Sequence, residues 1–198
     1  MLDVLRQSSL ALSVLAALFF VDAPLRTLGQ SFVAQRSRQR LILLTFELDL
    51  VALWTIAKFY ARWDRPLLAA GGEALAWAGA LLTLAGAVLA VWAKLRLGRW
   101  FSATFAVKQG HELITDGPYG IVRHPMYTGF LAMVAGNALA WDSALTLVLA
   151  VLLAVPLFLH TVYEESLFEQ HFGEAYFDYE RRVPRLVPFP RPGARRVG

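Results

Sequence analysis

The chain has 198 residues, 57% of them hydrophobic, a formal net charge of +4 and no cysteine. That is too apolar for a soluble domain of this size, and within this chain it excludes disulfides, thiolate metal ligands and a thiol nucleophile. The basic residues cluster beside apolar blocks, a pattern of membrane topology that argues against nucleic acid as a partner.

The apolar blocks are about as long as a bilayer is thick. Leu2 to Val21 is the first, with Asp3 and Arg6 near its start. Its short core, followed by Asp22-Ala23-Pro24, also fits a signal peptide; a membrane helix is the preferred reading. Arg26 to Arg40, containing QRSRQR, reads as a basic loop near anionic headgroups. Leu41 to Tyr60 is the second block. Its Glu47, Asp49 and Lys58 are costly at that depth and are expected to face protein or water. After a short loop, Glu73 to Leu95 forms the third block. There Ala76, Ala80, Thr83, Ala87 and Ala90 recur at helical spacing, with Gly79 and Gly86 nearby, which predicts close helix packing.

Arg96 to Arg123 is a polar connection too long for a simple linker, and long connections are often functional. Met126 to Ala140 is a short fourth block. Trp141-Asp142-Ser143 turns the chain, and Ser143 can cap the next helix. Ala144 to His160 is the fifth block, with Pro156 as a kink. Thr161 to Tyr179 then reads as an amphipathic helix interrupted at Gly173. Leu167, Phe168, Phe172, Tyr176 and Tyr179 recur near helical spacing, and the two tyrosines are expected at the headgroups. The Arg- and Pro-rich tail from Glu180 reads as a partly extended end at the interface.

These elements predict an all-α fold: a polytopic membrane helical bundle of about five transmembrane helices plus a cytoplasmic C-terminal amphipathic helix. It is read as one domain over 1–198, with N-terminal membrane helices in 1–95 and a catalytic half in 96–198. Five spans put loops 22–40, 96–125 and 161–198 on one side, which holds most of the Lys and Arg and is therefore cytoplasmic.

Chemistry concentrates in His111 to Gly129, HELITDGPYGIVRHPMYTG. Gly117-Pro118 reads as a turn. The residue before a proline is pushed out of the α region, so His124 is expected to be extended. Pro125 suits a first helical position. His124 then lies near the positive end of a helix, where an anion is favoured. Residues alone offer His111, Tyr119, Arg123, His124, Tyr127, His160, Glu164 and Glu165. No Ser-His-Asp set, P-loop or GxGxxG accompanies them. No ligand set has a metal spacing, so no metal site is expected. His160 and Glu164 are an ordinary i, i+4 pair.

His111-Glu112-Leu113-Ile114, Gly117-Pro118-Tyr119, Arg123-His124-Pro125-Met126-Tyr127 and Gly129 resemble the signature of the isoprenylcysteine carboxyl methyltransferase family and its phospholipid methyltransferase relatives. Glu164-Glu165, Phe172-Gly173, Tyr176, Tyr179 and Val183-Pro184-Arg185 resemble the family's second motif. The resemblance covers roughly the C-terminal half. It implies S-adenosyl-L-methionine bound on the cytoplasmic side by His111, Leu113, Ile114, Tyr119, His124, Pro125, Tyr127 and Glu164, with Glu164 taking the amino group. It also implies a lipid-attached, prenylated or otherwise hydrophobic acceptor arriving from the bilayer. A carboxylate acceptor needs no general base, and Arg123 could orient it bidentately. An amine would need deprotonation, with Glu165 or His160 as candidates. Where the prenylcysteine enzymes carry an arginine four residues before the cofactor-binding glutamate, this chain has His160. Carboxyl O-methylation leads, with amine N-methylation, small-thiol S-methylation and a sterol-type NADPH reductase of related architecture as alternatives.

Overall fold

The computed structural model describes residues 1–26, 66–67, 72–101 and 110–189, with backbone alone over 16–26. Five α-helices occupy them: α1 (Leu2–Arg26), α2 (Glu73–Leu97), α3 (Pro125–Ala140), α4 (Ala144–Phe172) and α5 (Glu174–Arg182). Two short 3-10 turns, Gly98–Trp100 and Gly117–Gly120, shape the polar connection between α2 and α3. No strand occurs among the described residues. The second apolar block, with Glu47, Asp49 and Lys58, lies outside them, as does the QRSRQR loop.

Among the described residues, two helices are long and apolar enough to cross a bilayer, spanning Glu73–Trp100 and Ala144–Phe172. The 16 residues of α3 are short for a crossing. The size order of a soluble core is inverted. The buried face of α2 is Ala76, Gly79, Thr83, Gly86, Ala87, Ala90 and Ala93. Its outer face exposes Trp77, Leu81, Leu84, Val88 and Trp92, and α4 exposes Val148, Val151, Leu152, Val155 and Leu159. Small residues between helices and large apolar ones outside are what a lipid solvent favours.

The small-residue stripe expected on α2 is the seam with α3. Gly79 faces Gly136 and Gly86 faces Gly129, so the helices run antiparallel with glycine meeting glycine two turns apart. A Cβ on Gly86 would lie 2.6 Å from the Gly129 carbonyl oxygen, and one on Gly129 would lie 2.6 Å from that of Gly86. Backbone cannot yield as a flexible side chain can. Gly86→Ala is therefore expected to destabilise the bundle by about 1–3 kcal/mol through overpacking, read as a lower thermal midpoint in detergent. An unchanged midpoint would show that the helices separate freely.

Polar groups anchor α1 to the far end of α3. Asn137 Nδ2 donates to Ser13 Oγ at 2.7 Å, and buried Ser9 lies 3.1 Å from Asn137 Oδ1. Arg6 Nε donates to the Ala140 carbonyl at 3.1 Å. The α1 backbone continues past Val21 through Asp22-Ala23-Pro24 to Arg26, beyond the expected end of the first block. The expected turn between α3 and α4 is present: Asp142 has φ +50, and Ser143 Oγ accepts from the Thr146 N–H at 2.9 Å.

One helix boundary differs from expectation, with consequences for the chemistry. α4 does not stop at His160 but runs unbroken to Phe172. Thr161 to Phe172 contains no glycine or proline, so nothing ends the helix until Gly173, whose φ of +55 suits glycine alone. Pro156 sits inside the helix without ending it. Glu164 and Glu165 are thus carried on the rigid inner end of an apolar helix, and the separate amphipathic helix shortens to α5.

Candidate active site

Four pieces of chain converge beyond the α2–α3 seam. The expected bend is realised: His124, at φ −123, is the N-cap of α3, and Pro125 takes its first position. The Gly117–Gly120 turn tucks Pro118 and Tyr119 inward. α4 brings Glu164 and Glu165 against His124. The fourth piece is the segment after α5. The Arg123 and His124 N–H groups donate to the Pro184 and Arg185 carbonyls at 2.8 and 3.0 Å, and Thr128 Oγ1 donates to Leu186 O at 2.7 Å. The tail expected to run partly extended along the interface therefore begins as a strap across the start of α3.

Beneath the strap lies a buried charge network. Glu165, 1% exposed, is its hub. Its Oε1 accepts from Arg123 Nε at 2.8 Å and lies 3.0 Å from His124 Nε2; its Oε2 accepts from Arg185 Nε at 2.9 Å. The Arg185 guanidinium also stacks 5.1 Å above the Phe158 ring. Arg123 Nη1 donates to the Val183 and Glu180 carbonyls at 2.9 and 3.1 Å, and Nη2 to the Glu180 carboxylate at 2.9 Å. Every nitrogen of its fork is engaged by protein, so in this arrangement no free fork points at an acceptor.

Beside the network is a cleft, partly open to solvent. His111, Leu113, Ile114, Tyr119, His124, Pro125, Tyr127 and Glu164 all line it, as does Arg123. Glu165 and His160 do not. Glu165 is turned into the ion network, and His160 lies one helical turn before Glu164, outside the cleft. The cleft also has walls absent from the sequence-derived site: Trp100, Phe168, Phe172, Tyr176 and Tyr179. Trp100 stacks on His111 at 5.1 Å, while Phe168 and Phe172 meet the same imidazole edge-on. Tyr176 and Tyr179 are 1% and 3% exposed, so they are cleft wall and core rather than headgroup anchors. The legible signal for the aromatic wall was the run Glu164, Phe168, Phe172, whose i, i+4, i+8 spacing puts two rings on the carboxylate's own face.

The two adjacent glutamates differ in what they have left to offer. Both oxygens of Glu165 are spoken for. Glu164 Oε2 is buried, accepts no hydrogen bond and lies 3.4 Å from His124 Nδ1. A buried acceptor without a donor is costly, and this one borders the cleft. It fits a ligand ammonium, and the surrounding aromatic faces fit a sulfonium.

A family model described as phospholipid methyltransferase matches residues 74–175, the stretch that builds most of this cleft. The chain belongs to the phospholipid methyltransferase family. Protein-S-isoprenylcysteine O-methyltransferase B of Arabidopsis thaliana is 32% identical over 114 residues, 56% of this chain and 58% of that protein. A probable protein-S-isoprenylcysteine O-methyltransferase of Oryza sativa subsp. indica is 30% identical over 118 residues, 58% of this chain and 62% of that one. The nickel-cobalt-cadmium resistance protein NccN of Alcaligenes xylosoxydans xylosoxydans is 29% identical over 143 residues, 70% of this chain and 60% of that protein. The chain thus spans less than two thirds of each of these relatives. The resemblance read from the motifs is upheld at the level of the family.

Within this phospholipid methyltransferase family member, His124 has an unusual place. Burial disfavours its imidazolium, but the two carboxylates beside it, Glu164 and Glu165, outweigh that, and its pKa lies above the ordinary imidazole value. A raised folded pKa contributes stability that is complete below the unfolded value, about 6.5. That stability is lost as pH rises through the folded value. The ligand-free protein should therefore lose thermal stability over that window, and His124→Gln should flatten the difference. Parallel wild-type and variant curves of midpoint against pH would remove His124 as the cause. Burial also pushes the phenols of Tyr119, Tyr176 and Tyr179 upward, keeping them neutral donors. Tyr179 Oη donates to the Tyr119 carbonyl at 2.7 Å. Tyr179→Phe orphans that acceptor and should cost about 1–3 kcal/mol, measurable as a lowered denaturation midpoint.

Proposed function

We propose that this protein is an integral-membrane methyltransferase. It uses S-adenosyl-L-methionine and modifies a hydrophobic or lipid-attached acceptor at the cytoplasmic face of a multi-pass helical bundle of about five spans. The observation that carries this reading is the buried, donorless oxygen of Glu164 in an aromatic cleft lined by all eight residues that the motifs assigned to the donor. When bound, the sulfonium donor supplies an activated methyl group. The rest is positioning by this chain. Glu164 accepts from the donor's ammonium. Tyr119, Tyr127, Tyr176, Phe168 and Phe172 present ring faces that stabilise positive charge and keep water out. Trp100 and His111 stack beside Phe168 and Phe172 in the same lining. Exposed apolar faces on α2 and α4 support residence in a bilayer, from which a lipid-attached acceptor reaches the cleft sideways.

The names of the plant relatives support a carboxyl acceptor, O-methylated as in isoprenylcysteine carboxyl methyltransferases, which needs no base. One observation favours a second reading. Arg123 is committed to Glu165, Glu180 and Val183, and acts here as a positioning residue, so an amine or small-thiol acceptor that needs no arginine clamp fits the same cleft. The deciding experiment incubates the purified protein with methyl-labelled S-adenosylmethionine and prenylcysteine, aminophospholipid and alkyl-thiol acceptors. Products are then read by mass spectrometry. Label is expected in one acceptor class and absent with Glu164→Ala. Equal labelling by both proteins would overturn the site, and tight NADPH binding without S-adenosylhomocysteine binding would favour a reductase.

A further inference from the structure

Resting on the donor-binding reading above, we infer that His124 makes ligand binding proton-linked: a proton on its imidazole and the cationic end of the ligand compete to neutralise Glu164. Among the described residues, the charges around the ring come from every element packed on it. α4 supplies Glu164 and Glu165, the segment before α3 supplies Arg123, α5 supplies Glu180 and the strap supplies Arg185. Tyr127, stacked on the imidazole at 5.7 Å, adds a neutral phenol. Arg123 is matched by Glu165 and Glu180, and Arg185 by Glu165. Two guanidiniums against three carboxylates leave one negative charge. Its place is Glu164, the one carboxylate of the three that neither of these arginines reaches.

Glu164 Oε2 lies 3.4 Å from His124 Nδ1. With no ligand cation at that oxygen, an imidazolium cancels the surplus charge, in keeping with the upward displacement of the His124 pKa. A ligand ammonium at the same oxygen cancels it instead. Both together would crowd two cations onto the one carboxylate, and a poorly polarisable interior penalises that heavily. Binding of an ammonium-bearing ligand therefore expels the His124 proton. The same competition disfavours ammonium-bearing ligands at low pH and leaves ligands without an ammonium indifferent to pH.

The test is isothermal titration of the full chain in detergent across neutral and mildly acidic pH. The two ligands are S-adenosylhomocysteine and 5′-methylthioadenosine, which keeps the nucleoside and thioether but lacks the ammonium and carboxylate. Affinity for the first should rise about tenfold per pH unit below the His124 pKa and level off above it. Binding heats compared between buffers of different ionisation enthalpy should report the release of about one proton. Affinity for the second ligand should stay flat. His124→Gln should remove the slope for S-adenosylhomocysteine; if that variant does not fold, the wild-type proton count decides alone. Binding of S-adenosylhomocysteine with a flat profile, with proton uptake, or with a full slope surviving in His124→Gln would overturn the inference while leaving the donor site standing. No binding at any pH would overturn the functional reading and this inference with it.

Discussion

Glu164→Gln is expected to weaken S-adenosylhomocysteine binding by about one to two orders of magnitude and to lower thermal stability far less than loss of Glu165 does. The magnitude comes from the roughly 1.5–3 kcal/mol of a hydrogen bond to a charged partner. The stability expectation comes from the geometry. Neither Arg123 nor Arg185 depends on Glu164, whose Oε2 lies 3.4 Å from His124 Nδ1 as its charged neighbour. Glutamine keeps the shape, removes the surplus negative charge and cannot hold an ammonium as strongly. Titration and a thermal melt on the same preparation check both halves. Unchanged affinity with a lowered melt would make Glu164 a structural residue and remove the donor from this cleft.

Its neighbour is expected to behave in the opposite way. Glu165→Ala should destabilise the protein by about 3–5 kcal/mol, because truncating one partner of a buried ion network strands the others. Here it strands two guanidiniums and an imidazole, since Glu165 holds Arg123, Arg185 and His124 and is itself 1% exposed. The fall in melting midpoint should be on the order of 10 °C for a chain of this length. Adding Arg185→Met to Glu165→Ala removes one of the stranded cations and should recover part of the loss. Ligand affinity falls too, but as a consequence, so it should recover alongside stability in the double variant. A Glu165→Ala protein that melts normally yet cannot bind ligand would show that Glu165, rather than Glu164, faces the donor. Two consecutive glutamates with separable phenotypes, one in binding and one in folding, are what this architecture requires.

Much of the molecule could be read without coordinates because the signals are local. A proline after His124 fixes where α3 begins, whatever packs nearby. Small residues at helical spacing on α2 declare a face that another helix must touch, since small residues stabilise only in close contact. Ser143 after Trp141-Asp142 caps the next helix through an N–H three residues away. The motif residues His111, Leu113, Ile114, Tyr119, His124, Tyr127 and Glu164 share the lining of one cleft, as their grouping implied. The end of α4 misled because polarity was read as a helix boundary. Polarity changes which solvent a helix face meets, whereas only a residue such as Gly173 changes the backbone.

Residue order alone settles that the chain is helical and apolar, where its described helices start and turn, and which side chains gather around one cleft; these depend on periodicity, breakers and residue type over a few turns. Which of two neighbouring carboxylates is available is a matter of packing. The fold turns Glu165 inward onto Arg123 and Arg185, the second of these brought by a strap that arrives from beyond α5, and leaves Glu164 open to the cleft. It likewise takes Arg123 away from an acceptor and puts Tyr176 and Tyr179 in the wall instead of at the lipid surface. A buried charge takes whatever partner three-dimensional packing delivers, and that partner can lie far away along the chain, where no local pattern announces it.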